Sequence, residues 1–253
     1  MRPGPGAEVQ VWVTRSQPGA DRHTRALQSA GFDTLTLPVL EIEPVVFDLP
    51  APSFDVVIFL SEHAVRHVGA LDFCHGARVL AVGPSTAAAL SRAGVSVETD
   101  TRACQEAEAD PEDSRTHSRG QGSEGLLESV ILQHVAGRSV LIVSGVGGRR
   151  LLADELQRRG ASVTQLRCYR RKLLLPRLPD PATVGAILVG SGDGFDTVAR
   201  VWFDAQGRPD VPVLVPSARV AGLGTALGFS RVIDCAGAGI DAYLTVLRTL
   251  EEE

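Results

Sequence analysis

Gly185-Ala186-Ile187-Leu188-Val189-Gly190-Ser191 follows the pattern of Asp55-Val56-Val57-Ile58-Phe59-Leu60-Ser61, 130 positions earlier. An unbroken apolar run between turn residues reads as a parallel strand buried on both faces. Outward from this pair the match continues. Val140-Leu141-Ile142-Val143 corresponds to the opening strand Val9-Gln10-Val11-Trp12-Val13, and Asp154 to Gly160 corresponds to Arg25 to Gly31. Val213-Leu214-Val215-Pro216-Ser217 echoes Val79-Leu80-Ala81-Val82-Gly83, and the helix after each ends in glycine, Gly228 and Gly94. Amphipathic stretches separate the strands: about Ala20 to Ala30, Ser61 toward His67, and Ser85 to Ala93. Phe32 to Leu37 is a further strand. Four matched elements in one order predict an α/β fold: two similar doubly wound parallel-sheet lobes produced by internal duplication.

Two segments are too long for one strand and a turn, Leu37 to Pro44 and Leu166 to Pro176. They hold equivalent places in the two halves. The economical reading passes both between the lobes as a two-stranded connector. The expected domains are then 1–38 with 174–253, and 39–173. Thr101 to Gly122 is acidic and almost without large apolar residues, so it reads as a mobile loop, and Glu251 to Glu253 reads as a frayed end.

Composition narrows the class. With 44% hydrophobic and 22% charged residues the 253-residue chain is an ordinary globular one. A net charge of −5 and 5% aromatics argue against a nucleic-acid partner. No apolar run is long enough for a membrane span, and Met1 to Gly6 has no secretory core, so a cytoplasmic protein is expected. Cys74, Cys104, Cys168 and Cys235 are scattered without a C-x-x-C pair, as suits free thiols.

Ligands of open α/β sheets bind beyond the carboxyl ends of the strands. That rule selects Thr14-Arg15, Ser61-Glu62, Gly83-Pro84-Ser85-Thr86, Ser144-Gly145, Ser191-Gly192 and Ser217-Ala218-Arg219. Any one of these hydroxyls is explained by helix capping. Six such tips around one cleft would offer a polyanion a floor of N–H donors without net positive charge. Gly145-Val146-Gly147-Gly148-Arg149-Arg150 has Arg150 where a dinucleotide loop needs its third glycine, and lacks a P-loop ending, so it reads as a tight turn. His63 and His67 have metal-ligand spacing but no evident third ligand, and read as a solvated helical face. Tyr169, one of two tyrosines, sits among Arg167, Arg170 and Arg171. Nearby cations make a phenol a readier proton donor, and a tyrosine packed at a lobe interface is the competing reading.

Val13-Thr14-Arg15, Ala30-Gly31 through Pro44, Ala81 to Ala87, Ser123 to Leu127, Gly147-Gly148-Arg149 with Leu151-Leu152, Arg159-Gly160-Ala161 and Tyr169-Arg170 resemble the uroporphyrinogen-III synthases. The resemblance spans nearly the whole chain except about 101–122. It implies a lyase acting on hydroxymethylbilane, whose four linked pyrroles carry eight carboxylates. Loss of the hydroxyl as water leaves an azafulvene on ring A. Attack from the substituted carbon of ring D gives a spiro intermediate, which recloses with ring D inverted. No cofactor and no metal are implied; Tyr169 matches the family's catalytic candidate, and a monomer is expected. The sequence departs from the family at Leu60-Ser61-Glu62-His63, where Thr-Ser with Asn two residues beyond is common, and at Gly190-Ser191, which replaces Thr-Ser. Loss of both hydroxyls leaves open a paralogue that binds tetrapyrroles without cyclising them.

Overall fold

The computed structural model describes residues 9–48, 53–98, 123–148 and 150–252. The chain divides into two compact units, residues 1–42 with 172–253, and residues 43–171. In the first, the sheet runs β10 (Val232–Asp234), β9 (Val213–Val215), β8 (Val184–Leu188), β1 (Gln10–Val13), β2 (Asp33–Thr36). In the second it runs β3 (Leu40–Pro44), β7 (Ser162–Leu173), β6 (Ser139–Gly145), β4 (Val56–Phe59), β5 (Arg78–Ala81). The orders β2-β1-β8-β9 and β7-β6-β4-β5 are the same once the duplicated strands are matched, and all these pairs are parallel. Two doubly wound lobes of one plan are therefore present.

Strand alternation places successive side chains on opposite faces, so a central strand needs cover on both sides. Trp12 of β1 and Ile187 of β8 point into a core with Phe195, Val198 and Trp202 of α7 (Phe195–Asp204) and Val220 of α8 (Ala218–Ala226). Their neighbours Val11, Val13, Ala186 and Leu188 point the other way. They meet Ala20 and Leu27 of α1 (Gly19–Ser29) and Tyr243 and Leu247 of α9 (Ile240–Glu252). Trp12 and Trp202 stack at 6.4 Å, and their indole N–H groups donate to Leu37 O and Arg208 O, both at 2.8 Å. Burial with a satisfied N–H makes each worth about 3–5 kcal/mol against alanine. Glu251 and Glu252 are exposed but lie in the last turn of α9, so the expected frayed end is helical that far.

In the second unit Val56, Ile58, Val140 and Ile142 pack with Leu132 of α5 (Val130–Gln133) and Leu152 and Leu156 of α6 (Leu151–Arg158). The helix α4 (Ser123–Leu127) lies beside α6. On this sheet α2 (Glu62–His67) lies against β4 and β6, and α3 (Pro84–Arg92) against β5. Glu98 N–H donates to Val79 O at 2.8 Å, so the chain after α3 runs beside β5 as β10 does beside β9. Residues 101–122, read as a mobile loop, fall outside the described residues.

The two connector segments pair with each other. Val45 N–H donates to Cys168 O at 3.1 Å and Leu174 N–H to Val39 O at 2.9 Å. One partner number rises as the other falls, so β3 and β7 are antiparallel. The twelve-residue β7 bonds β6 along its first part and β3 along its second.

Candidate active site

At the carboxyl end of β6 the ladder slips: Ser144 opposes Arg167, but Gly145 opposes Tyr169. Cys168 is the extra residue of a β-bulge, a device that re-aims the side chain after it. Regular alternation with Leu166 inward would expose residue 169. Instead Cys168 and Tyr169 are both buried, at 0% and 1% exposure. The phenol ring lies over Gly145, where an added Cβ would stand 2.6 Å from Cε2 and Cζ. Glycine here is a seat for the ring, since its backbone is not in the left-handed region.

The Tyr169 Oη is held from two sides. It lies 2.9 Å from Ser61 Oγ, and Arg171 Nη2 donates to it at 3.3 Å. The Arg171 guanidinium carbon is 5.5 Å from the ring centroid, a cation–π distance. Ser61 also caps α2, its Oγ accepting from Ala64 N–H at 3.0 Å. Capping and phenol contact are thus one hydroxyl's two roles. Of the three arginines that flank Tyr169 in sequence, only Arg171 reaches the phenol; Arg170 Nε bonds Glu43 at 2.9 Å and Arg167 Nη2 bonds Gln165 at 3.4 Å.

His63 and His67 complete this cluster, with ring centroids 5.6 and 6.0 Å from Tyr169. Both are half-buried, so the expected solvated face is corrected: the bulge turns the phenol against them. His67 Nδ1 bonds the His63 carbonyl at 2.8 Å, and no group of metal-ligating side chains occurs among the described residues. Burial pushes His63 down to about 4, helped by the nearby Arg171, His67 and Arg66 charges and opposed by Glu62. It is neutral at neutral pH. Ser144 is buried beside Gly145, and its carbonyl accepts from the Cys168 thiol at 3.7 Å.

The remaining tip of this unit precedes α3. Gly83 is extended, Pro84 opens the helix, Ser85 is exposed, and Thr86 is buried with its N–H on Gly83 O at 3.1 Å. No side chain caps α3. Gly147, with φ of +81°, makes the stretch after β6 a turn, as read from the sequence; Arg149 lies outside the described residues.

In the first unit the tips are Thr14-Arg15, Ser191-Gly192 and Ser217. Thr14 is buried, and both its N–H and its hydroxyl donate to Leu188 O, at 3.3 and 2.9 Å. It ties β1 to β8 with the hydroxyl turned inward. Arg15 is half-buried and donates to Ala238 O at 3.1 Å, with Nη1 3.2 Å from His23 Nε2. His23 is buried and pushed down to about 3 by burial and by the Arg15 and Arg22 charges. Ser191 is exposed; a Cβ on Gly192 would lie 3.6 Å from Arg219 Nη1, so a second cation borders this tip. Ser217 precedes α8 and its carbonyl accepts from Val220 and Ala221, but its side chain makes no cap. The N–H groups of Ala218 and Arg219, in the first turn, have no intrahelical partner by the geometry of a helix start.

Sequence reading missed His23 and marked Gly190 only as a departure from the family. The first sits inside an amphipathic helix pattern like any other half-polar residue. The second was legible only as a missing hydroxyl.

The family model of uroporphyrinogen-III synthase HemD matches residues 21–233. A uroporphyrinogen-III synthase of Salmonella typhimurium is 27% identical over 95% of this chain and all of its own length. That of Escherichia coli is 33% identical over 50% of this chain and 55% of its own. Among solved structures, the uroporphyrinogen-III synthetase of Helicobacter pylori aligns with a TM-score of 0.59 at 14% identity, over 96% of this chain and 99% of that one. A Thermus thermophilus uroporphyrinogen III synthase variant aligns at 0.53 and 19%, over 97% and 100%. These two likenesses concern the fold. The match of the family model across most of the sequence decides the rest: the chain belongs to the uroporphyrinogen-III synthase family.

Proposed function

We propose that the protein cyclises hydroxymethylbilane to uroporphyrinogen III, with loss of water and inversion of ring D. The family match over residues 21–233 carries this reading. The chemistry asks for one proton on the departing hydroxyl and for a fixed bilane conformation. Holding reacting atoms in a near-attack geometry removes most of the entropic barrier, so positioning is the larger task.

Proton supply is assigned to the Tyr169–Ser61 pair. Tyr169 is only 1% exposed, whereas Ser61 is half-buried at the strand tip. The Ser61 hydroxyl therefore gives its proton to the leaving oxygen while the phenol replaces it across the 2.9 Å contact. Water leaves, ring A becomes the electrophile, and the ring D carbon attacks it. The spiro intermediate fragments, recloses with ring D turned over, and returns a proton to the phenolate. Arg171 stabilises the charge that the phenol carries meanwhile. The exposed and half-buried tips, Arg15, Ser85, Ser191, Gly192 and Ser217 with the N–H donors around them, bind the substrate's carboxylates, while Thr14, Thr86 and Ser144 shape the rims from within.

Tyr169→Phe is expected to lower kcat about a hundredfold, the scale of general acid catalysis, while weakening product binding much less. A relay further requires Ser61→Ala to lower kcat comparably; a coupled isomer assay measures both. Only the symmetric isomer appearing above the spontaneous background would overturn the function, and normal turnover by Ser61→Ala would overturn the relay. No cofactor enters. Both sheets are covered by their own helices, which supports a monomer, and buried free thiols support a cytoplasmic setting. Among the described residues no helix is long and apolar enough to cross a membrane.

A further inference from the structure

Gly190 has no backbone reason to be glycine, because its φ lies outside the left-handed region. Its reason is Arg15. A Cβ added at 190 would stand 2.8 Å from Cγ, Cδ and Nε of Arg15 alike, closer than real Cβ atoms come. Three consecutive stem atoms are blocked, so the whole side chain would have to leave rather than swing its tip. A Cβ at Gly19 would likewise reach Arg15 Nε at 3.2 Å. The stem thus lies in a slot walled by two residues without side chains.

The end of the slot is built to hold a guanidinium. Ala238 O accepts from Nη1 at 3.1 Å. His23 stands beside the same Nη1, and a neutral imidazole offers it one acceptor nitrogen, which a protonated one would not. The His23 ring is backed edge-on by buried Tyr243 at 5.7 Å, and the Tyr243 hydroxyl donates to Val189 O at 3.0 Å, next to Gly190. The charged and titratable neighbours of His23 are thus Arg15, Arg22 and Tyr243.

We propose that Gly190 is a positioning residue for Arg15, its missing side chain forming the slot that fixes the guanidinium to bind a substrate carboxylate. The carboxylate part rests on the proposed cyclase function; the positioning part does not. What reads in the sequence as a lost hydroxyl is on this view room made for a cation.

The test is a double-mutant cycle with Gly190→Ala and Arg15→Ala, read by kinetics on hydroxymethylbilane and by NMR titration of the His23 imidazole. Each single change is expected to raise KM about tenfold, with the effect on KM rather than kcat, and the double variant to be no worse than either. In each, His23 loses the Arg15 charge that helps hold it down, so its titration moves up toward the ordinary imidazole range. Should Gly190→Ala fail to fold alone, the double variant is expected to fold, because Arg15→Ala removes the obstructing Cγ, Cδ and Nε. Additive KM effects, or a His23 titration unmoved by Gly190→Ala, would overturn the proposal. A His23 shift without a KM change keeps the slot and overturns the carboxylate contact. If the unaltered protein shows no turnover, the cyclase reading fails, and the titration alone still decides the positioning.

Discussion

Tyr169 and Arg15 are fixed by the same means: a large side chain lies across a residue that has no Cβ. Gly145 serves the phenol and Gly190 the guanidinium. Gly145→Ala is expected to overpack the site by about 1–3 kcal/mol and to lower kcat as Tyr169 is pushed off Ser61. Denaturant melts and the coupled assay would measure the two effects separately; an unaltered kcat would mean that the phenol keeps its place. Tyr169 could be found from sequence because tyrosine is rare in this chain and its flanking arginines are conspicuous. Gly190 stood out only as a lost hydroxyl, since a glycine shows no atoms for a pattern to register, and its slot exists only once β1 and β8 lie side by side. His63 and His67 carried a usable signal, since both lie in the short helix that Ser61 caps. Their contact with Tyr169 is across 102 or more positions of chain, which local spacing cannot reveal.

Among elements, the strands were readable because buried parallel strands are apolar without interruption, and the helices because glycine stops them. Gly94 ends α3 with φ of +78° and Gly228 ends α8 with +101°, in the left-handed region that lets the last carbonyls be satisfied. At Gly94 nothing lies within 4 Å of an added Cβ, so substitution there tests conformation alone. Gly94→Ala is expected to cost about 1 kcal/mol in a denaturant melt, and Gly94→Asn less, because Asn tolerates the left-handed region. Equal losses would point to something other than backbone strain. The bulge in β7 was not readable. One added residue shifts the inward set by a single position, and its trace is the adjacent buried pair Cys168-Tyr169.

For the whole molecule, each unit carries an imidazole held neutral, His23 in one and His63 in the other. Their folded values lie below the ordinary 6.5, so the unfolded chain takes the proton first as pH falls. The stability they support is complete above about 6.5 and is lost on acidification, down to about 4 for His63 and about 3 for His23. The buried His23 alone gives a slope of about 1.4 kcal/mol per pH unit in that window. Denaturant melts at pH 7, 6 and 5 should show the decline, and His23→Gln with His63→Gln should flatten it; a slope unaffected by both changes would assign the acid sensitivity elsewhere.

The sulfur of Cys168 sits at the bulge, fully enclosed, with its thiol pushed up to about 11 by burial. A thiol so placed ionises too little to meet an alkylating reagent while the strand is closed. Its modification rate in a Cys104→Ser background, where Cys74 and Cys235 are buried as well, becomes a clock for how often β7 lets go of β6. The reagent would thus time the breathing of the segment that carries Tyr169, without any label having to be introduced.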